Sequence, residues 1–269
     1  MTARSLDLQT TKVLVTIREG VAWLALNNPE RRNAVSLEMW RAMGDAAELI
    51  EADDEVRVVV IRGAGGKAFA SGADISAFDE HRSNATQKNE YSRIAARGQQ
   101  GFARSAKPLI AMIQGYCIGG GLAIALNADL RFATPASRFA IPAARLGVGY
   151  DFGGVAALAR QVGPSRAKDI LFSARQLDAE EALRIGLVDF VVDDATIEAR
   201  VAAYAQLLAV NAPLSIRAAK AAVQQFERTS SGEGNAAISA LIDACHNSQD
   251  YVEGRRAFLE KRTPAFKGR

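Results

Sequence analysis

The sequence predicts an α/β fold, and three features carry the prediction. Two apolar segments, 56–63 and 108–115, have the continuous hydrophobicity of strands that are covered on both faces. Stretches compatible with helix lie between and after such segments. Glycine-bearing turns at 67–75 and 115–125 follow strand-like residues. Strand, glycine turn and helix therefore alternate, which is typical of layered α/β proteins with a site at the carboxyl ends of their strands.

The first elements of the chain read as a hairpin followed by a helix. Residues 12–19 and 21–27 are rich in β-branched or aromatic side chains, and Gly20 between them predicts a tight turn. Ser36 can cap a helix that extends through about Ala52. One face of that helix carries Leu37, Trp40, Met43, Ala47 and Ile50.

The pattern becomes helical from about residue 152. Pro164 can open a helix, Asp178 and Glu181 have the spacing of a capping box, and Pro213 has the position of a first helical residue. Helical runs at about 195–210, 213–228 and 234–260 complete the chain. The sequence thus predicts an α/β core over residues 1–195 and a helical C-terminal oligomerisation region over 196–269.

Composition excludes several function classes. The 269 residues are 49% hydrophobic and carry a net charge of +3, with Lys and Arg scattered among acids, so we expect no nucleic-acid partner. Cys117 and Cys245 have neither CxxC nor Cys/His spacing, which argues against a disulfide framework or a metal site. Free thiols, and the lack of an apolar run of about 18 residues, predict a cytoplasmic protein without a membrane partner.

The two glycine turns are the best candidates for chemistry. KAFASGADI at 67–75 and GYCIGGGLAIA at 115–125 can each expose backbone N–H groups at the start of a helix. Two such groups aimed at one point would bind a carbonyl oxygen that is becoming negative. A tightly packed strand–helix junction is the alternative reading of either turn taken alone.

Further segments support a family resemblance. With NNPERRNAVS at 27–36, FAIPAARLGVG at 139–149, the 171–192 stretch and EGRRAFLEKRTPAF at 253–266, the chain resembles the crotonase superfamily over nearly its whole length. The resemblance implies stacked ββα units with a helical trimerisation region, assembled as a homotrimer or a dimer of trimers. It also implies an acyl-CoA thioester substrate, with coenzyme A entering as part of that substrate and no permanently bound cofactor or metal.

The resemblance implies a set of site residues. The thioester oxygen would be held by the backbone N–H groups of Ala73 and Gly120. Coenzyme A would lie against Arg31, Arg32, Ala70, Ser71, Ala73, Asp74 and Ile75, and against Phe258 and Lys261, which in the family often reach it across a subunit boundary. Exposed arginines and lysines can equally be solvated surface.

The chain differs from the hydratases of this family at the positions of their two catalytic glutamates. Hydratases carry one glutamate in the helix after GGG and another after the proline of FxxP, and here these positions are Ala123 and Ala143. Asp151 lies where dienoyl-CoA isomerases and chlorobenzoyl-CoA dehalogenases place a functional aspartate. Packing between Tyr150 and Phe152 would desolvate its carboxylate and strengthen it as a base. Alternatively, Asp151 is simply the N-cap of the helix that follows.

These departures predict an isomerase-like enzyme. Asp151 would shuttle a proton between two carbons of an enolate held at Ala73 and Gly120. Open alternatives are a hydrolase or dehalogenase with Asp151 as the nucleophile, a catalytically silent acyl-CoA binding protein, and a weak enoyl-CoA hydratase. His81 is a minor candidate for a pocket group. A serine-peptidase triad is poorly supported because His81 and His246 are the only histidines.

Overall fold

The computed structural model describes residues 3–74, 85–229 and 235–269. Ile75 and His81, both named as candidates from the sequence, lie outside these ranges. The strands are β1 Arg4–Leu6, β2 Val13–Arg18, β3 Val21–Leu26, β4 Val58–Gly63, β5 Ala68–Ala70, β6 Leu109–Ile113, β7 Tyr116–Ile118, β8 Leu130–Ala133, β9 Arg138–Ala140, β10 Leu177–Asp178 and β11 Phe190–Val191.

The helices follow the same chain order. They are α1 Leu37–Ala52, α2 Ala85–Ala103, α3 Gly120–Ala125, α4 Phe152–Val162, α5 Pro164–Ser173, α6 Ala179–Arg184, α7 Ile197–Ala209, α8 Pro213–Thr229, α9 Ala236–His246 and α10 Gln249–Glu260, with short 3₁₀ helices at Pro29–Arg31 and Pro142–Arg145.

Two sheets organise the core. The larger has seven strands in the order β1-β2-β3-β4-β6-β8-β11, and the smaller has four in the order β10-β9-β7-β5. The β2–β3 hairpin is antiparallel, whereas β3, β4, β6, β8 and β11 run parallel, with Leu24 of β3 opposite Ile61 of β4. Successive strands alternate between the sheets: β4, β6 and β8 enter the large one, and β5, β7 and β9 enter the small one. This alternation confirms the predicted ββα repeat.

Both faces of the central strands are covered, as their continuous hydrophobicity predicts. Val59 and Ile61 of β4 belong to the main core, which also contains α1, whereas Val58 and Val60 of the same strand pack with α7. Ser36 caps α1, since its hydroxyl oxygen accepts a hydrogen bond from the Met39 N–H. The predicted cap and the predicted strand are thus confirmed.

The C-terminal helices differ from the prediction at one point. The single helical run expected over 234–260 is two helices, because Ser248 interrupts it. The Ser248 hydroxyl donates to Cys245 O and accepts from Tyr251 N, so it ends one helix and caps the next. Within the described residues, no helix combines the length and the apolar composition that crossing a bilayer requires.

Candidate active site

The two glycine turns lie at the same edge of the small sheet. Gly72 follows β5 and Gly119 follows β7, and these two strands are parallel neighbours. Both glycines have positive φ, +111° and +53°, a region that side-chain-bearing residues seldom adopt. The backbone therefore turns sharply after each strand, and parallel pairing brings the turns together.

The amide groups after these glycines lie side by side. A Cβ added at Gly120 would lie 3.4 Å from Ala73 N, and one added at Gly72 would lie 3.9 Å from Gly120 N. Among the hydrogen bonds of the described residues, neither the Ala73 N–H nor the Gly120 N–H is a donor. Both residues are only half-buried, so a ligand oxygen can approach them. The structure thus brings the two predicted oxyanion donors together.

The turns are held together by backbone contact. A Cβ added at Gly121 would lie 2.2 Å from Ala70 O, so only glycine permits this approach of α3 to β5. Ala70 itself is completely buried. It therefore offers no surface to a nucleotide, which corrects the expectation that Ala70 contacts coenzyme A; it joins the two turns instead.

An isolated parallel bridge between Val35 and Ala73 fixes the orientation of the Ala73 N–H. Val35 N donates to Gly72 O at 2.8 Å, and Asp74 N donates to Val35 O at 3.0 Å. These bonds occupy the groups on either side of Ala73 and leave its own N–H facing away from Val35. The orientation of this donor is thus set before any ligand arrives.

Buried Asn33 supports the same region, and sequence reasoning gave it no role. Its side-chain amide donates to Ala68 O at 2.7 Å and to Ala64 O at 3.0 Å, while its Oδ1 accepts from Asn28 N at 2.9 Å. The residue has φ +56°. The recognisable signal is the asparagine after the NPERR turn, because asparagine tolerates this backbone conformation and can replace a backbone partner.

The residues near the turns that are predicted to contact coenzyme A are joined to one another by an ion pair and hydrogen bonds. Arg31 Nη1 lies 3.2 Å from the Asp74 carboxylate. The Ser71 hydroxyl donates to Arg31 O at 3.2 Å, and Ser71 N donates to Arg32 O at 3.0 Å. The Arg32 guanidinium carbon lies 5.1 Å from the centre of the Tyr116 ring. Arg31, Arg32, Ser71 and Asp74 therefore form one cluster at the entrance to the turns.

Two alanines lie near the donors, at the positions where the family resemblance implies glutamates in hydratases. Ala123 lies on α3, two residues after Gly121, and Ala143 lies in the 3₁₀ helix whose Pro142 Cδ would be 3.9 Å from a Cβ at Gly119. Both alanines are half-buried. Neither methyl group can accept or donate a proton.

Asp151 is the N-cap of α4. Its Oδ1 accepts from Gly154 N at 2.9 Å, which confirms the capping interpretation. The expected desolvation is wrong for the single chain: Asp151 is exposed, and Phe152 is 86% exposed and so does not cover it. Within the part of the chain that the structure describes, Oδ2 of Asp151 makes no hydrogen bond. One carboxylate oxygen thus caps the helix, and within the described residues the other is not occupied by a hydrogen bond.

Tyr150 connects this segment to the second glycine turn. Its hydroxyl donates to Gly119 O at 3.5 Å. Burial, and then the nearby Asp151 charge, raise the pKa of Tyr150 to about 12. The phenol therefore stays protonated and remains a donor at neutral pH.

Phe258 and Lys261 lie with the C-terminal helices. Phe258 is 83% exposed and borders a surface cavity with Tyr251 and His246, and none of the residues around that cavity belongs to the glycine turns. Lys261 ends α10 in a left-handed conformation with φ +54°. Among the described residues, Lys261 makes no ion pair or side-chain hydrogen bond with the glycine turns, and no residue of the turns lines the cavity beside Phe258. Among the described residues there is also no group of three His, Cys, Asp or Glu that could hold a metal.

Comparisons with known proteins identify the family of this chain. The model of the enoyl-CoA hydratase/isomerase family matches residues 16–269. This chain belongs to that family. This chain is 32% identical to the short-chain-enoyl-CoA hydratase of Clostridium acetobutylicum, over 97% of this chain and 100% of that protein. It is 34% identical to the 2,3-dehydroadipyl-CoA hydratase of Escherichia coli, over 96% of this chain and all of that protein.

A solved structure gives the same result for the fold. The enoyl-CoA hydratase/carnithine racemase of Magnetospirillum magneticum superposes with a TM-score of 0.90 at 36% identity, covering 97% of each chain. The predicted crotonase-like fold is therefore confirmed, and the family member is an acyl-CoA enzyme of the hydratase/isomerase class.

Proposed function

We propose that this family member isomerises a double bond in an enoyl-CoA thioester, with Asp151 as the proton shuttle. The observation that carries the proposal is the pair of amides at Ala73 and Gly120, which lie side by side and donate no hydrogen bond within the described residues. Two such donors suit a thioester oxygen that gains charge as an enolate forms, and losing one typically costs about 10²–10³ in rate.

The alanines favour isomerisation over hydration. Hydration needs a base for the water and an acid for the α-carbon, each worth about 10²–10⁴-fold. Ala123 and Ala143 supply neither. Isomerisation needs one carboxylate, which takes a proton from one carbon and returns it to another. In this proposal Oδ2 of Asp151 does this while Oδ1 remains bound to the helix.

An enoyl-CoA hydratase is the second candidate. The relatives from Clostridium acetobutylicum and Escherichia coli carry hydratase names, which favours it. It would need an acid–base group other than the alanines at 123 and 143. A nucleophilic Asp151 remains the alternative given by the sequence, and a silent binder is one outcome of the test below.

Coenzyme A would complete the site from two directions. In this proposal its nucleotide lies on the Arg31, Arg32, Ser71 and Asp74 cluster, where Arg31 keeps a 58% exposed side chain. Phe258 and Lys261 would come from a neighbouring subunit of a homotrimer or a dimer of trimers. Exposed apolar side chains on the C-terminal helices are available for such contacts: Val223, Phe226, Val252, Phe258 and Leu259. The free cysteines are consistent with a cytoplasmic enzyme.

Ultraviolet absorbance separates the candidates, because a double bond conjugated to the thioester absorbs and an isolated one does not. The protein is mixed with 2-enoyl-, 3-enoyl- and 3,5-dienoyl-CoA. Isomerisation raises the absorbance of the 3-enoyl substrate, whereas hydration lowers that of the 2-enoyl substrate. We expect the first change. If the fall in 2-enoyl absorbance is the only reaction observed, the hydratase replaces the isomerase proposal.

Asp151→Asn is the matched variant, because asparagine is an equally good N-cap and cannot shuttle a proton. We expect isomerisation to fall by about 10²–10⁴-fold with acyl-CoA binding retained. Full activity in this variant would remove the role assigned to Asp151. A wild-type protein that binds acyl-CoA and converts none would identify a silent binder.

A further inference from the structure

We infer that Tyr150 is a positioning residue that holds the Gly120 amide in its place as an oxyanion donor. The inference rests on the proposed function, since it concerns the same donor. One peptide unit joins Gly119 to Gly120. Gly119 O and the Gly120 N–H belong to one rigid plane and point in opposite directions in a trans peptide. Whatever fixes the carbonyl therefore fixes the amide.

The Gly119 carbonyl has two hydrogen-bond donors. One is the Ala123 N–H of α3, at 3.0 Å, and the other is the Tyr150 hydroxyl, at 3.5 Å. Gly119 has φ +53° and ψ −115° and carries no side chain that could hold this unusual conformation. The tyrosine is thus the only side-chain anchor on this carbonyl among the described residues.

The bond also acts on the strength of the donor. A hydrogen bond to the carbonyl polarises the whole peptide and makes its N–H a better donor, since linked hydrogen bonds strengthen one another. The Gly120 N–H would therefore bind a thioester oxygen more strongly with Tyr150 present than without it.

The tyrosine ring is itself fixed. Its side chain is half-buried against the main core, and a Cβ added at Gly154 would lie 2.5 Å from its Cε1. Gly154 N is in turn bound by Asp151. The ring thus packs against the first turn of α4, and this contact fixes the direction from which its hydroxyl approaches Gly119 O. The same contacts join the segment that carries the proposed proton shuttle to the oxyanion turn.

Tyr150→Phe tests the inference, because phenylalanine keeps the packing and removes only the hydroxyl. The readout is the carbonyl stretch of butyryl-CoA labelled with ¹³C at the thioester, a saturated probe that can be neither isomerised nor hydrated. Binding to the wild type should lower the frequency of this stretch, and binding to Tyr150→Phe should lower it less. On the isomerase substrate, kcat should fall about 5–10-fold with KM nearly unchanged.

A matched control and a second variant keep the outcome interpretable. Tyr204→Phe removes a hydroxyl from α7, where the ring packs on Phe132 and Phe190, and should leave both readouts unchanged. If Tyr150→Phe does not fold, Gly154→Ala displaces the ring and keeps the hydroxyl, and it should weaken the frequency shift in the same way.

Two results would overturn the inference. A Tyr150→Phe protein with the wild-type frequency shift and wild-type kcat shows that the tyrosine only fills space, and leaves the proposed function intact. A wild-type protein that does not bind butyryl-CoA overturns the proposed function and this inference together.

Discussion

Gly121→Ala tests most directly whether the two turns act as one site. The added methyl carbon would lie 2.2 Å from Ala70 O and 2.8 Å from Ala70 Cβ. Ordinary contacts begin near 3.4 Å, so the α3 and β5 backbones must separate by about 1 Å. Neither contact is the end of a flexible side chain, so rotation cannot relieve the clash.

We expect this variant to lose both stability and activity. Overpacking of this kind costs about 1–3 kcal/mol, which lowers Tm by about 2–4 °C per kcal/mol in a chain of this size. A donor displaced by about 1 Å costs about 10²-fold in rate. Thermal unfolding gives the first quantity. The isomerisation rate and the carbonyl frequency of bound butyryl-CoA give the second.

Gly149→Ala is the matched control for Gly121→Ala. A Cβ at Gly149 meets no atom within 4 Å, and its φ is not in the left-handed region. It should retain wild-type stability and rate. If Gly121→Ala binds the probe and turns over substrate like Gly149→Ala, the reasoning from the two adjacent turns is refuted.

Three further predictions concern single side chains. Asp151→Ala should destabilise the protein by about 1 kcal/mol through loss of the helix cap, whereas Asp151→Asn should not; chemical denaturation of both shows whether stability and rate separate. Asn33→Ala should cost at least about 2 kcal/mol, because it leaves buried Ala68 O and Asn28 N without a side-chain partner; an unchanged denaturation midpoint would contradict this. The pKa of Tyr150 is raised from its ordinary value of 10 to about 12 in the folded chain. The protonated phenol therefore contributes stability that is fully present below pH 10 and is lost as the pH rises from 10 to 12. Tyr150→Phe should flatten this part of the plot of stability against pH, and an equally steep decline in the variant would disprove the prediction.

Local pattern was enough to predict most of the fold. The apolar runs at 56–63 and 108–115 became β4 and β6, and Ser36 and Asp178 became helix caps, because these signals depend on neighbouring residues. The break at Ser248 was missed, since a serine inside a helical run can also point to solvent. Only its bonds to both helix ends show that it divides them.

The candidate site was predictable in part, for a related reason. The glycine turns have a local signature, and both predicted donors lie together. Contacts between distant segments have no such signature: Tyr150 with Gly119, Gly121 with Ala70, and Asn33 with Ala68. The expected burial of Asp151 failed because flanking aromatic residues in a sequence do not determine which way their rings point.

The alanines at 123 and 143 also determine the size and polarity of the side chains beside the Gly119 and Gly120 turn. Each offers a single methyl group there. In the proposed function, an acyl group bound beside this turn would meet two methyl groups and no charge there. We therefore expect an uncharged acyl chain to bind in preference to one that ends in a carboxylate, which would find no counter-charge on these two residues.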